Sequence, residues 1–161
     1  MSQKLDMLIN EIRDCRICEH QLPCGVNPVF SVGQKSKILI IGQAPGLKVH
    51  KSGIPWDDQS GKELRRWLGV SKEEFYNLDN FGVLPIGFCY PGKSIKGDLA
   101  PRSECAPQGH SKILSFLTRV ELVLLIGKYA QDYYLKAARE KNLTETVLNW
   151  QKYLPDFKIQ E

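Results

Sequence analysis

An apolar run that ends in a glycine- and proline-containing turn constrains the fold of this 161-residue chain most strongly. The stretch "KILIIGQAPG" covers residues 37–46, and its "ILII" is typical of a strand buried on both faces of a parallel sheet. Ligands of such sheets bind beyond the carboxyl ends of the strands. Gly42 and Gly46 permit a close approach to the backbone, and Pro45 fixes the turn. We therefore expect a ligand at loop 42–46; an ordinary tight connection to a helix is the alternative.

The remaining pattern alternates helices with strands, which predicts an α/β fold on a parallel sheet. Helices are expected at 2–14, after Ser60 (N-cap, with Glu63 closing a capping box and Gly69 as the stop), after Ser71, near 108–118, after 127 and over 144–154. Strands are expected at 37–42, at 81–89 with an irregularity at Pro85, and at 120–127. The final "DFKIQE" is a candidate fourth strand.

Length and composition indicate one domain, 1–161, that stays outside membranes. No apolar run approaches the ~20 residues of a membrane span. The amino-terminal segment is an amphipathic helix without the apolar centre of a signal peptide. We therefore expect a monomer in the reducing cytoplasm, where cysteines serve as metal ligands or free thiols. The net charge of +4 is compatible with a polyanionic partner but does not require one.

Four of the five cysteines form two pairs along the chain. Cys15 and Cys18 make a C-x2-C motif, Cys89 and Cys105 are separated by fifteen intervening residues, and Cys24 stands alone. Four thiolates satisfy either a zinc ion or a 4Fe-4S cluster. Scattered buried cysteines are the alternative.

Three motifs in order resemble the uracil-DNA glycosylase superfamily, and most of all its iron–sulfur branch, family 4. The strand and "GQAPG" resemble that family's first motif, G-E-x-P-G. The stretch "GIPWDDQSGKELRRWLG" resembles G-x-P-F-x-x-x-S/G-G-x-x-L, and the cysteine spacing resembles that of the cluster ligands. The resemblance covers roughly residues 15–127. It implies a three-layer α/β/α sandwich on a short parallel sheet, a 4Fe-4S cluster on the four paired cysteines, and a flipped, damaged base in DNA as substrate.

The resemblance also implies roles for individual residues. Trp56 occupies the family's base-stacking position, although a half-buried core tryptophan is the alternative. Backbone amides of the loop can bind the base oxygens, and Gln43 can orient a water but has no basic site to take its proton. The predicted base pocket comprises Gly42, Gln43, Ala44, Pro45, Gly46 and Trp56, with Gln43 as the catalytic candidate. Candidate phosphate contacts in loops are Lys48, Lys51, Lys93, Lys96 and Arg102, which a solvated loop would carry equally well.

The chain departs from the family pattern at two places. Residues 81–88 hold no asparagine to read the base edge, and Asn80 comes too early. The chain stops where a strand and a His-Pro-Ser loop would follow, so we expect it to be incomplete at its carboxyl end. Uracil release is therefore predicted to be very slow or undetectable. The alternative functions are a non-catalytic iron–sulfur module that binds nucleic acid and, less favoured, a nucleotide-binding α/β domain.

Overall fold

Seven α-helices and five strands lie along residues 3–154, which are the residues that the structure, a computed structural model, describes. The elements in chain order are α1 (Gln3–Arg13), β1 (Ile38–Ile41), α2 (Leu47–Ser52), α3 (Gln59–Leu68), α4 (Lys72–Tyr76), β2 (Phe81–Val83), β3 (Lys93–Ser94), β4 (Gly97–Asp98), α5 (Cys105–Leu114), β5 (Leu122–Leu125), α6 (Lys128–Leu135) and α7 (Leu143–Leu148). The predicted fourth strand at 156–161 lies outside the described residues.

A three-stranded parallel sheet in the order β2-β1-β5 forms the centre of the fold. Ile38 of β1 is in register with Phe81 of β2 on one side and with Leu122 of β5 on the other. Strands β3 and β4 form a separate two-stranded antiparallel hairpin. Because all three central strands run the same way, the loops that follow them meet at one edge of the sheet.

Side chains of β1 alternate between two hydrophobic cores, one on each face of the sheet. Leu39 and Ile41 pack with apolar side chains of α1, α5 and α6, whereas Ile40 packs with Leu64 of α3 and Phe75 of α4. Period-two alternation on a strand sends successive side chains to opposite faces. The helices therefore form layers on both faces, which confirms the predicted α/β sandwich.

Helix ends agree with the sequence in part. The capping box of Ser71 and Glu74 is present, and Gly69 ends α3 in the left-handed conformation with φ of 68°. The expected N-cap at Ser60 is wrong, because the Asp58 side chain accepts the Gly61 amide at 2.8 Å instead. An aspartate is as good a cap as a serine, and here it comes two residues earlier.

Segment 81–89 is a strand only as far as Val83. Beyond it the chain stays buried but irregular, as Pro85 predicts. No helix among residues 3–154 is long and apolar enough to cross a membrane.

Candidate functional site

Loop 42–46 follows β1 and is held in place by the buried segment beside it. The amide of Ile86 donates to the Gly42 carbonyl at 3.0 Å, and the amide of Gly87 donates to the Gln43 carbonyl at 2.9 Å. Within residues 3–154, the amides of Gln43, Ala44 and Gly46 donate to no backbone carbonyl. The loop thus presents fixed N–H groups that are available to a ligand.

A cavity of about 410 Å³ opens beside this loop, at the carboxyl ends of β1, β2 and β5. We call it the strand-end cavity. All six residues predicted for the base pocket line it: Gly42, Gln43, Ala44, Pro45, Gly46 and Trp56. Val83, Pro85 and Ile126 add apolar surface, and Asp58 and Asp98 add carboxylates. A mostly apolar cavity with a few polar groups is typical of a small-ligand site.

Trp56 is held over the loop in an unusual backbone conformation, with φ of 57°. A Cβ atom on Gly42 would lie 3.3 Å from Cζ2 of the Trp56 ring, so the ring covers that glycine. Gly61 makes this arrangement possible, because a Cβ atom there would lie 1.7 Å from the Trp56 carbonyl oxygen. Arg65 donates to the same oxygen at 3.2 Å. The half-buried ring both packs on the α3–α4 core and lines the cavity.

Gln43 is tied to the far side of the cavity. Its Nε2 donates to the Leu99 carbonyl at 3.2 Å, immediately after the β3–β4 hairpin. Asp98, the last residue of β4, lines the cavity beside it. Asp98 was not predicted as a site residue, because the sequence of the hairpin is that of an ordinary loop. The sequence marks this position only by a single acidic residue in "KGDL".

The polar groups that read a base edge in the resembled family have no counterpart in the described cavity. Asn80 precedes β2 and bonds through its carbonyl to the amide of Ile38 at 2.9 Å, at the opposite end of the sheet. No histidine among residues 3–154 lines the cavity. His110 instead lies buried below it and donates from Nε2 to the Pro85 carbonyl at 2.9 Å.

The candidate phosphate contacts divide into two groups. Lys48 and Lys51 lie on α2 rather than in a loop, while Lys93 and Lys96 belong to the β3–β4 hairpin; all four are exposed. Within the described part of the chain, none of them forms an ion pair. Helix α2 follows the 42–46 loop directly, and both α2 and the hairpin contribute a lining residue to the cavity, Val49 and Asp98.

Arg102, the fifth candidate, points elsewhere. Its Nη2 pairs with Glu104 at 2.6 Å, which raises the pKa of the guanidinium further. Its charge opposes the rise in the pKa of the Cys18 thiol, so it lies near the cysteines. The buried Nε of Arg102 has no hydrogen-bond partner among residues 3–154.

The four paired cysteines come together from three parts of the fold. Cys15 and Cys18 follow α1, Cys89 ends the buried segment, and Cys105 begins α5, while Cys24 is exposed and apart. A cavity of about 180 Å³ is lined by Cys15, Cys18 and Cys105, and Cys89 packs against Cys18. This is the arrangement that the two cysteine pairs would need to share one ligand.

Two of these thiols, Cys89 and Cys105, are withdrawn from water. Burial raises the pKa of Cys89 and of Cys105 to about 11, while backbone amides of Asn27 and Phe88 donate to their sulfurs and oppose the rise. Within residues 3–154, no three cysteine, histidine or acidic side chains converge on a position for a single ion. A four-iron cluster is larger than one ion and keeps its thiolates further apart.

A larger groove of about 1080 Å³ runs along β5, α3 and α7. Its surface is mainly apolar, with Trp67, Leu122, Val147 and Trp150 among its lining residues. It offers little acid–base chemistry, and we place the candidate active site in the strand-end cavity.

Comparison with known proteins identifies the family of the chain. The family model described as "Uracil DNA glycosylase superfamily" matches residues 30–158. A curated relative, the "Type-4 uracil-DNA glycosylase" of Saccharolobus solfataricus, is 26% identical over 142 residues. That match covers 85% of this chain and 62% of the relative, so the chain spans less than two thirds of the relative's length.

Proposed function

Because the chain belongs to the uracil DNA glycosylase superfamily, we propose that it cleaves the N-glycosidic bond of a deaminated, uracil-type base flipped out of DNA. One observation carries the proposal: the strand-end cavity is lined both by the Trp56 ring and by loop 42–46, in which the amides of Gln43, Ala44 and Gly46 donate to no backbone carbonyl among residues 3–154. Such a cavity offers hydrogen bonds to the edge of a flat ring and a stacking surface for its face.

Base flipping explains the value of the aromatic side chain. Extruding a base costs a few kcal/mol of stacking and pairing. Stacking on an aromatic ring returns about 1–3 kcal/mol per base. Trp56, fixed by Gly61 and Arg65, is already placed to provide that surface.

Bond cleavage places positive charge on the sugar and negative charge on the departing base. The amides of Gln43, Ala44 and Gly46 can stabilise the base oxygens, and donors fixed in advance stabilise such charge best. Gln43 orients rather than deprotonates, because a carboxamide has no basic site. Since no asparagine or histidine of residues 3–154 lines the cavity, we expect slow base release.

The four paired cysteines are proposed to hold a 4Fe-4S cluster, with zinc as the alternative. Burial raises the pKa of Cys89 and of Cys105 to about 11, and metal ligation requires thiolates, so bound metal would supply the positive charge that holds them deprotonated. When bound, the cluster would link the end of α1, the buried segment and the start of α5. Its contribution would be to the stability of the fold, and no step of base release passes through it.

Lys48, Lys51, Lys93 and Lys96 are proposed to contact phosphates on either side of the flipped nucleotide. They are exposed and make no ion pair within residues 3–154. Phosphate contacts fix the protein on DNA without reading the sequence. A monomer in the cytoplasm is sufficient for this activity.

The proposal is tested by incubating the protein in excess over oligonucleotides with a single uracil, in single- and double-stranded form, and measuring strand cleavage at abasic sites by alkali. We expect slow, protein-dependent cleavage at the uracil position and none in the thymine-containing control. Tight DNA binding without cleavage would instead support the non-catalytic iron–sulfur module, which the family match does not favour.

A further inference from the structure

The strand-end cavity needs a carboxylate that Gln43 cannot provide. Hydrolysis of a glycosidic bond generates a proton from the attacking water and a cationic sugar, and both are stabilised by a negative charge nearby. The carboxamide of Gln43 carries no charge, and its nitrogen is already engaged with the Leu99 carbonyl at 3.2 Å. Another residue of the cavity must take this role if the bond is cleaved there.

Among residues 3–154, two carboxylates line the cavity, and one of them has a structural task. Asp58 accepts the Gly61 amide at 2.8 Å and so begins α3. Asp98 caps no helix. Its Oδ1 lies 3.4 Å from the Tyr90 hydroxyl, and its Oδ2 lies 3.6 Å from the position of a Cβ atom on Gly46. The Asp98 carboxylate therefore faces the 42–46 loop itself.

Backbone and side-chain bonds hold Asp98 in this position. Asp98 lies opposite Lys93 in the register of the β3–β4 hairpin. The Ser94 hydroxyl donates to the Gly97 carbonyl at 3.1 Å. The next amide, that of Leu99, donates to the Gly92 carbonyl at 2.9 Å. The Gln43–Leu99 bond then joins this hairpin to the base loop.

Resting on the proposed glycosidic cleavage, we propose that Asp98 is the catalytic carboxylate of this chain. Its carboxylate holds the attacking water and faces the sugar. The water oxygen bonds to C1′ as the C1′–N bond breaks, and the bonding electron pair leaves with the base. The water proton passes to Asp98 and then to solvent, and the base anion takes a proton from solvent. Gln43 positions the hairpin and the water.

The test uses binding rather than base release, so that it is independent of turnover. Two duplexes are compared that differ only in one abasic-site analogue: a pyrrolidine, which is cationic, and a tetrahydrofuran, which is neutral. A carboxylate facing the sugar should make the wild-type chain bind the cationic analogue about tenfold more tightly. In D98N this ratio should fall to within about twofold. D57N, which loses the same charge outside the cavity, should retain the wild-type ratio.

The outcomes separate this inference from the proposed function. A wild-type ratio near one, an unchanged ratio in D98N, or a loss that appears in D58N instead would overturn the role of Asp98. A preference for the cationic analogue that D98N abolishes, in a protein that releases no base, would uphold the placement of Asp98 and contradict the proposed cleavage. Absence of DNA binding would overturn both.

Discussion

The side chain of Gln43 donates a hydrogen bond to the carbonyl of Leu99, 56 residues away along the chain. This bond joins the loop after the central strand to the β3–β4 hairpin and closes one wall of the strand-end cavity. It also gives the carboxamide a task that an ionised carboxylate could not perform, since a carboxylate has no hydrogen to donate to a carbonyl. The glutamine in "GQAPG" is therefore explained by structure and not by acid–base chemistry.

Replacing Trp56 by alanine should weaken binding to DNA that contains a flipped nucleotide. Loss of one stacking surface should lower affinity for a mismatched duplex by about tenfold, within the range for a base on an aromatic ring. Affinity for intact duplex should change much less. Fluorescence anisotropy on matched duplexes measures both values.

Trp67 provides the control for this substitution. It lies on α3 with 73% of its surface exposed and borders the apolar groove rather than the strand-end cavity. W67A should leave both affinities near the wild-type values. Equal losses on both duplexes in W56A would assign Trp56 to the core alone.

The cysteine site predicts the colour of the protein. Protein purified without oxygen should be brown and contain iron and sulfide, because four thiolates are the ligands of a 4Fe-4S cluster. C89S should abolish the colour, whereas C24S should retain it because Cys24 is exposed and apart from the others. Iron analysis and visible absorbance measure this. Colourless protein with one zinc per chain would reassign the site, and folded, metal-free protein would contradict it.

Salt dependence tests the four lysines. If they contact phosphates, removing two of them in K48Q/K51Q should reduce the slope of log affinity against log salt by about 1–2. The matched control is K35Q/K37Q, at the opposite end of the sheet beside Asn80. Identical slopes for both double variants would show that the charge acts only through the net charge of the chain.

Much of the fold was predictable because its signals are local. The strand 37–42, the caps at Gly69 and Ser71 and the irregular segment after Val83 follow from apolar periodicity and from glycine, serine and proline at fixed positions. The N-cap of α3 was misplaced because "DDQS" offers several capping side chains within a few residues. Only the path of the backbone selects Asp58.

The site was predictable where it lies in one segment. The base loop and Trp56 belong to continuous motifs, whereas Asp98 reaches the cavity only through a hairpin that folds back on the loop. The ion pair of Arg102 with Glu104 beside the cysteines could not be predicted either, because it depends on how the chain enters α5. Tertiary contacts of this kind produce no periodic pattern in the sequence.

His110 should make the fold sensitive to acid. Its Nε2 donates to the Pro85 carbonyl, so its Nδ1 accepts from the Tyr134 hydroxyl, and burial lowers its pKa to about 4. Between pH 6.5 and 4 the unfolded chain therefore binds a proton that the folded chain does not. Through this group the free energy of unfolding should fall by about 3 kcal/mol as the pH drops from 7 to 4.

Urea unfolding of wild type and H110Q at several pH values measures this effect. Glutamine can keep both hydrogen bonds but does not titrate. On acidification, the free energy of unfolding of H110Q should therefore fall by about 3 kcal/mol less than that of the wild type. H20Q, at an exposed histidine, should follow the wild type. Parallel pH profiles for wild type and H110Q would contradict the buried, neutral state of His110.

The central claim is that the N-glycosidic bond of a flipped, uracil-type nucleotide is cleaved in the strand-end cavity. Its most direct test is mass-spectrometric detection of free uracil released from single-stranded uracil DNA by excess wild-type protein and by G42V. Even a Cβ atom at position 42 would lie 3.3 Å from the Trp56 ring, so a valine side chain would displace the ring from the loop. We predict slow release of uracil by the wild type and none by a G42V protein that unfolds at a similar temperature. Equal release by both proteins would place the chemistry elsewhere, and no release by the wild type would contradict the proposed activity.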